Sequence, residues 1–111
     1  MENDHPVAIV VRASRRKQVG ACPFCRREMT LTFHHLIPRK VHRRRYFQRN
    51  YARDVLARGI YLCRDCHDAI HRSYDEMELA RTLATPQALA ANEKLRRQFH
   101  WLSRQRRAPS S

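Results

Sequence analysis

The clearest alternation of apolar and polar positions along the chain is MTLTFHH, residues 29–35. Three apolar side chains alternate there with two threonines and a histidine, and this period of two predicts a half-buried strand. Pro38 follows shortly afterwards and predicts the end of regular strand pairing. His34 and His35 therefore close the strand as neighbours whose side chains point in different directions.

Other apolar stretches predict elements on both sides of this strand. HPVAIVVR, residues 5–12, is β-branched and predicts a short strand or an anchoring arm, whereas the basic RASRRKQVG, residues 12–20, predicts a loop. A second short strand is expected over residues 60–62. Residues 39–58 are rich in cations and contain three aromatic residues, so we expect a long functional loop, or a loop with an irregular helix near residues 48–57.

The C-terminal third has a helical pattern. One helix should carry His67 and His71, and Ser73 or Asp75 can cap a second helix that ends near residue 84. Thr85 then precedes Pro86, a typical start for a final helix. The apolar side of that helix consists of Leu89, Leu95, Phe99 and Leu102. Its basic end, RQRR, is more typical of a solvated helix terminus than of a reader of sequence.

Charge narrows the expected partners. The 111 residues fit one small domain, and 23 Lys and Arg residues against 10 acidic residues give a formal net charge of +13. Such an excess favours nucleic acid as a partner, since each phosphate contact releases a counterion. No stretch approaches the roughly 20 apolar residues of a spanning helix, so we expect no membrane partner and a cytoplasmic protein.

The four cysteines form two Cys-x-x-Cys pairs, Cys22 with Cys25 and Cys63 with Cys66. In the cytoplasm this pattern favours a metal over disulfides, and two pairs complete a tetrahedral structural zinc site. The alternative is four unrelated buried cysteines. A closed four-sulfur site has no open coordination position, so any chemistry must lie elsewhere.

Four histidines offer that second site. His67 and His71 are four residues apart and lie on one helix face, where they are either a two-point metal site or two solvated side chains. If the strand meets this helix, His34, His67 and His71 can hold a divalent metal with open positions for a phosphate oxygen and water. His35 is then free to act as general base. Read alone, the tandem pair could equally be core filling.

The stretches CPFC, FHHLIP and YLCRDCH resemble the motifs of the HNH endonucleases, over about half of the chain. The resemblance implies an α+β fold with a small ββα-metal (His-Me) finger core, stapled by structural zinc and extended by C-terminal helices. It also implies metal-dependent phosphodiester hydrolysis, with His34, His67 and His71 as ligands and His35 as the base. Where the family has the Asn that braces the loop of the base, this chain has Arg58, to which we assign that role in the catalytic site.

The ligand set and the cations complete these expectations. An all-imidazole site favours transition ions, so Mn²⁺, Ni²⁺, Co²⁺ or Zn²⁺ should serve at least as readily as Mg²⁺. Cations that follow the histidine pair are expected to hold the nucleic-acid backbone. These are Arg39, Lys40, Arg43, Arg44 and Arg45.

Together these features predict a nuclease of four segments. They are an N-terminal strand or basic arm (1–20), the HNH core with its zinc knuckles (21–73), a helical extension (74–107) and a tail (108–111). The expected activity is nicking or hydrolysis of DNA. The alternatives are a zinc-stabilised module that binds nucleic acid without cleaving it, and a ribonuclease of the same fold.

Overall fold

The computed structural model of the chain describes residues 7–105, which form an α+β fold around a four-stranded sheet. The strands are β1 (Val11–Arg12), β2 (Gln18–Ala21), β3 (Glu28–His35) and β4 (Arg58–Cys63). Their order in space is β1-β4-β3-β2, and all neighbours are antiparallel. The two longest strands, β3 and β4, therefore lie at the centre.

Six α-helices and one 3₁₀ helix are present in the described residues. The 3₁₀ helix is Arg39–Val41, and the α-helices are α1 (Arg45–Asn50), α2 (Arg53–Leu56), α3 (Arg64–Ser73), α4 (Glu76–Thr82), α5 (Pro86–Ala91) and α6 (Glu93–Ser103). None of them is long and apolar enough to cross a membrane.

The predicted strand at residues 29–35 is confirmed as β3, but its burial is not what alternation alone suggests. The apolar positions are only half-buried, and the most buried side chain is His34, which is 1% exposed. The face of β3 that carries Thr32 and His34 lies against α3, since both residues contact His67 of that helix. Packing of α3 therefore buries this face of β3, although its side chains are polar.

The predicted loop over residues 12–20 is wrong at its C-terminal end. Gln18–Ala21 pairs in register with β3, with Val19 opposite Thr30. Val19 is 66% exposed, so the strand is held at the sheet edge by main-chain pairing. Its sequence therefore has no alternation of buried apolar positions from which a strand could be predicted. Of the predicted strand at 5–12, only Val11–Arg12 is a strand, and residues 5 and 6 lie outside the described residues, as does the tail 108–111.

Residues 39–58 hold short helices rather than a long loop, which is closer to the alternative of an irregular helix near residues 48–57, although the first α-helix begins earlier, at Arg45. These helices enclose a second hydrophobic cluster, which consists of Ile37, Val41, Phe47, Leu56 and Ala80. Phe47 is 2% exposed and stacks on Tyr51, so these two aromatic residues pack, whereas Tyr46 is 58% exposed. The cationic residues of the segment are left on its outer surface.

The C-terminal helices begin at side-chain caps. Asp75 accepts a hydrogen bond from the Glu78 amide, and Thr85 accepts one from the Ala88 amide, as the sequence predicts. The single final helix is wrong: Asn92 interrupts it, and its side chain accepts from the Leu95 amide at 2.9 Å.

One hydrophobic cluster joins the sheet to these helices. It contains all four cysteines together with Leu79, Leu89, Leu95 and Phe99. Phe24, between the first two cysteines, stacks on Phe99 of α6 at 4.6 Å between ring centroids. The helical extension and the cysteine turn therefore share one core.

Candidate metal centres

The four cysteine sulfurs converge in the core. All four residues are at most 1% exposed, none is disulfide-bonded, and the sulfur atoms lie within 4.8 Å of one another. The Sγ atoms of Cys25 and Cys63 are 3.7 Å apart. A tetrahedral zinc with Zn–S bonds of about 2.3 Å separates its sulfurs by about 3.8 Å, so the cluster has the size that a structural zinc requires.

Two local turns bring the sulfurs together. In the first, the Cys22 amide donates to the Arg27 carbonyl and the Arg26 amide to the Cys22 carbonyl, with Arg26 in the left-handed region at φ 70°. In the second, β4 runs directly into α3, where the Cys63 sulfur accepts from the Cys66 amide at 3.3 Å and caps the helix. The second cysteine pair is therefore also the start of α3.

A half-buried cation lies beside the sulfurs. The Arg27 guanidinium donates to the sulfur of Cys25 at 3.3 Å and to that of Cys63 at 3.7 Å, and it forms a 3.0 Å ion pair with Asp65. Hydrogen bonds from Cys63 and Cys66 hold the pKa of the Cys22 thiol far below its usual value. The same hydrogen bonds with Cys22 raise the pKa values of the Cys63 and Cys66 thiols, so of these three only Cys22 favours the thiolate that binds metal, and metal binding would release the protons of its neighbours.

The second cluster consists of three histidines from two elements. His34 comes from β3, and His67 and His71 come from successive turns of α3. Ligand-capable ring nitrogens of the three lie within 4.8 Å of one another, and the ring centroids are 5.0–5.3 Å apart. The structure therefore brings together all three of the predicted imidazole ligands.

Both ring nitrogens of His34 lack a hydrogen-bond partner among the described residues, although the side chain is 1% exposed. An unsatisfied buried polar atom costs about 1–3 kcal/mol, and coordination of a metal ion would satisfy one of them. Burial first, and then the charges of His67 and His71, lower the pKa of His34 to about 3. At neutral pH the ring is uncharged and has a lone pair to offer.

The ring orientation of His67 is set by Thr32. Thr32 Oγ1 lies 3.1 Å from the Leu62 carbonyl, which can only accept, so the single hydroxyl proton is donated there. The same Oγ1 is 2.9 Å from His67 Nδ1 and must accept from it, which leaves Nε2 of the neutral ring free to coordinate. Burial lowers the pKa of His67 to about 4, so this neutral tautomer holds at neutral pH.

His35 leaves the other face of β3. It pairs across the sheet with Gly59, and its ring contacts Phe33 at 4.9 Å and His42 at 5.6 Å between centroids. It lines a cleft of about 620 Å³ that Arg39 and Arg43 also line. Burial first, and then the charges of His42 and Arg39, lower the pKa of His35, so its ring is neutral and can accept a proton.

The segment after His35 is held by two hydrogen bonds. His42 Nε2 donates to the Ile37 carbonyl at 2.6 Å, since that carbonyl can only accept, and the Leu36 amide donates to the Arg58 carbonyl at 3.2 Å. The main chain of Arg58 therefore contacts this segment, whereas its guanidinium lies 3.8 Å from Asp54 and is half exposed. Because Arg58 precedes Gly59, its side chain leaves the opposite sheet face from His35.

The predicted backbone-binding cations are all exposed but do not all line the same cleft. Arg39 and Arg43 line the cleft of His35. The other three lie on the same segment, further along its surface, and are Lys40, Arg44 and Arg45.

Three residues near the sites were not singled out from the sequence: Arg27, Thr32 and His42. Arg27 follows Cys25 by two residues, and Thr32 precedes His34 by two on the same strand face, so spacing was a usable signal for both. No comparable signal marks His42, whose contact with Ile37 depends on the 3₁₀ helix between them. Comparison with family models, curated proteins and solved structures finds no match for this chain, so its function must be argued from these sites.

Proposed function

We propose that this protein is a metal-dependent endonuclease of the HNH type that nicks or hydrolyses phosphodiester bonds, with DNA as the expected substrate. The observation that carries the proposal is the buried His34, whose ring nitrogens have no hydrogen-bond partner within residues 7–105 and which lies against His67 and His71. A catalytic divalent ion fits these three nitrogens, because all are held close together and two of the rings are kept neutral.

The arrangement of the surrounding elements supports the resemblance to the ββα-metal finger. A cysteine turn precedes β3, the histidine pair closes β3, and β4 leads through the second cysteine pair into α3. Residues 21–73 would form this core. A structural zinc on the four cysteines would fix the start of α3 relative to β3, and so the three imidazoles relative to one another.

The chemistry divides between the two faces of β3. When bound, the ion supplies Lewis-acid stabilisation of the phosphate and of the leaving oxygen. The neutral ring of His35 takes a proton from water as the water oxygen bonds to phosphorus and the bond from phosphorus to the leaving oxygen breaks. Arg39 and Arg43 hold phosphates of the flanking backbone, and His42 keeps the segment after His35 in position.

The decisive test is nicking of supercoiled plasmid by wild type and His35→Ala. Loss of the general base should lower the rate by about 10²- to 10⁴-fold, while metal content and binding to DNA stay unchanged. His100→Ala is the matched control, since it removes an exposed histidine on α6 and should cut at the wild-type rate. Wild-type nicking by His35→Ala would contradict the assignment.

Metal content tests the histidine cluster separately. Native mass spectrometry should find two ions on wild type loaded with zinc and a second divalent ion, and one on His67→Ala. A single ion on wild type, held by the cysteines, would favour a module that binds nucleic acid without cutting it.

A panel of ions and substrates then defines the activity. Nicking should occur with Mn²⁺, Ni²⁺ or Co²⁺ at least as readily as with Mg²⁺, since imidazole ligands favour transition ions. Activity with Mg²⁺ alone would count against His71 as a ligand. A parallel panel of RNA substrates separates a deoxyribonuclease from a ribonuclease of the same fold.

A further inference from the structure

A second surface feature lies away from both metal clusters, where α6 crosses the end of α3. Trp101, the single tryptophan of the chain, is 61% exposed there. It lines a shallow cleft of about 220 Å³ together with Arg72, Arg97, Gln98 and Leu102. The cleft thus combines an open indole face with two guanidinium groups.

The cleft is held by its own contacts. Gln98 Nε2 donates to Ser73 Oγ at 2.8 Å and joins α6 to the last turn of α3. Leu102, next to Trp101, packs against the main hydrophobic cluster. The indole is therefore exposed on a rigid helix rather than on a loose segment.

The two arginines of this cleft form no ion pair among the described residues, although Asp68 and Glu93 stand four residues before Arg72 and Arg97. Arg96 on the same helix pairs with Glu93 at 3.1 Å. Arg104, which caps the end of α6 three residues beyond Trp101, is a further exposed cation. A polyanion complements such a surface. If that polyanion also carries flat aromatic groups, as the bases of a nucleic acid are, these can stack on the indole.

The cleft and the histidine cluster share helix α3. Arg72 directly follows His71 on α3.

We propose that the Trp101 cleft binds an unpaired nucleotide of the nucleic-acid substrate, whose base stacks on the indole while Arg72 and Arg97 hold adjacent phosphates. The proposal rests on the proposed function for the identity of the substrate. Aromatic stacking tolerates any base, so the cleft would add affinity for unpaired strands without reading sequence.

The test uses the His35→Ala protein, so that binding is measured without cleavage. Because Trp101 is the only tryptophan, its fluorescence reports on this cleft alone, and titration with a single-stranded oligothymidine should quench it saturably. Adding Trp101→Ala should raise the Kd for a labelled oligothymidine, measured by anisotropy, by about 5- to 150-fold. Trp101→Phe keeps a stacking surface and should retain most of the affinity.

Matched variants separate stacking from general charge. Val19→Ala trims another exposed apolar side chain, 66% exposed and outside the segment expected to hold the backbone, and should leave the Kd unchanged. Arg72→Gln and Arg97→Gln should each reduce the slope of log K against log salt by about 0.7. Wild-type affinity in Trp101→Ala, or an equal loss of affinity for duplex and for single strand, would overturn the proposal.

These outcomes do not depend on those of the nicking assay. A protein that binds through Trp101 but never cuts supports this cleft and contradicts the nuclease. A protein that cuts, yet binds unpaired strands equally well with and without Trp101, contradicts the cleft alone.

Discussion

Thr32 and His34 lie on the same face of β3 and prepare the histidine cluster in different ways. His34 offers nitrogens that have no other partner within the described residues, so it contributes a ligand at the expense of folding stability. Thr32 offers no ligand, but its hydroxyl fixes which nitrogen of His67 carries the proton. A hydroxyl that joins a main-chain carbonyl to an imidazole thus decides how His67 can coordinate.

Replacement of Thr32 tests this role. Thr32→Val keeps the shape of the side chain but removes the acceptor for His67 Nδ1, so either nitrogen of the ring can carry the proton. We expect the affinity of the histidine cluster for Ni²⁺ or Co²⁺ to fall by about 10- to 100-fold, measured by competition with a chromophoric chelator.

Thr30→Val is the control, since Thr30 lies two residues earlier on β3 and is exposed. Its metal affinity should match that of wild type. Equal affinities for Thr32→Val and wild type would show that the hydroxyl does not orient the ring.

At the scale of elements, strands β3 and β4 approach each other closely beside the histidine pair. Gly59 lies opposite His35, and a Cβ atom there would overlap the His34 carbonyl oxygen and the Phe33 ring. The close approach of these two strands therefore requires a residue without a side chain. The Phe33 ring, next to the ring of His35, occupies the space that a side chain at position 59 would need.

Gly59→Ala should consequently destabilise the protein. Overpacking of this kind costs about 1–3 kcal/mol, and thermal or urea unfolding will measure the loss. Gly20→Ala on β2 is the matched control, because a Cβ there meets nothing within 4 Å, and its stability should stay near that of wild type. Equal stabilities for the two variants would contradict the close packing at Gly59.

The ends of the C-terminal helices show which boundaries can be predicted from local sequence and which depend on tertiary contacts. Thr85 and Asp75 were predictable as caps because a capping side chain bonds an amide three residues away. The break at Asn92 was not, since an Asn inside an apolar-periodic stretch also fits an unbroken helix. Its side chain accepts from the Tyr74 hydroxyl at 3.1 Å, a contact made by packing of α6 against the end of α3.

For the whole molecule, the neutral histidines make stability depend on pH. The pKa values of His34 and His67 are lowered in the folded state to about 3 and about 4, so the unfolded chain binds more protons below its ordinary histidine pKa of 6.5. Stability without a metal on the histidines should therefore fall as pH drops from 6.5 towards 4, by about 1.4 kcal/mol per pH unit for each group.

Urea unfolding at pH 6.5, 5.5 and 4.5 checks this expectation. His67→Gln removes one of the groups and should give a dependence shallower by about 1.4 kcal/mol per pH unit. A variant with the same slope as wild type would show that His67 is not held neutral by the fold.

The sequence identified the residues of both candidate metal clusters more fully than it identified the fold around them. Cysteine and histidine spacing is local, so the four sulfurs and three imidazoles were found in advance. Strand β2 was missed because it pairs through its main chain while Val19 is exposed. The His42 contact with Ile37 was missed because it depends on tertiary packing.

Helix α3 begins with a cysteine of one cluster followed at once by a histidine of the other, Cys66 and then His67. If the sulfurs hold zinc, any rotation of this helix on zinc binding would also turn the two imidazoles, and occupancy of either site would then bias the geometry of its neighbour. Thermodynamic reciprocity then applies: the factor by which zinc tightens the histidine site must equal the factor by which an ion on the histidines tightens zinc. The zinc concentration in the cell would in that case change the affinity of the histidine site for its ion, although this zinc is bound only by the cysteines.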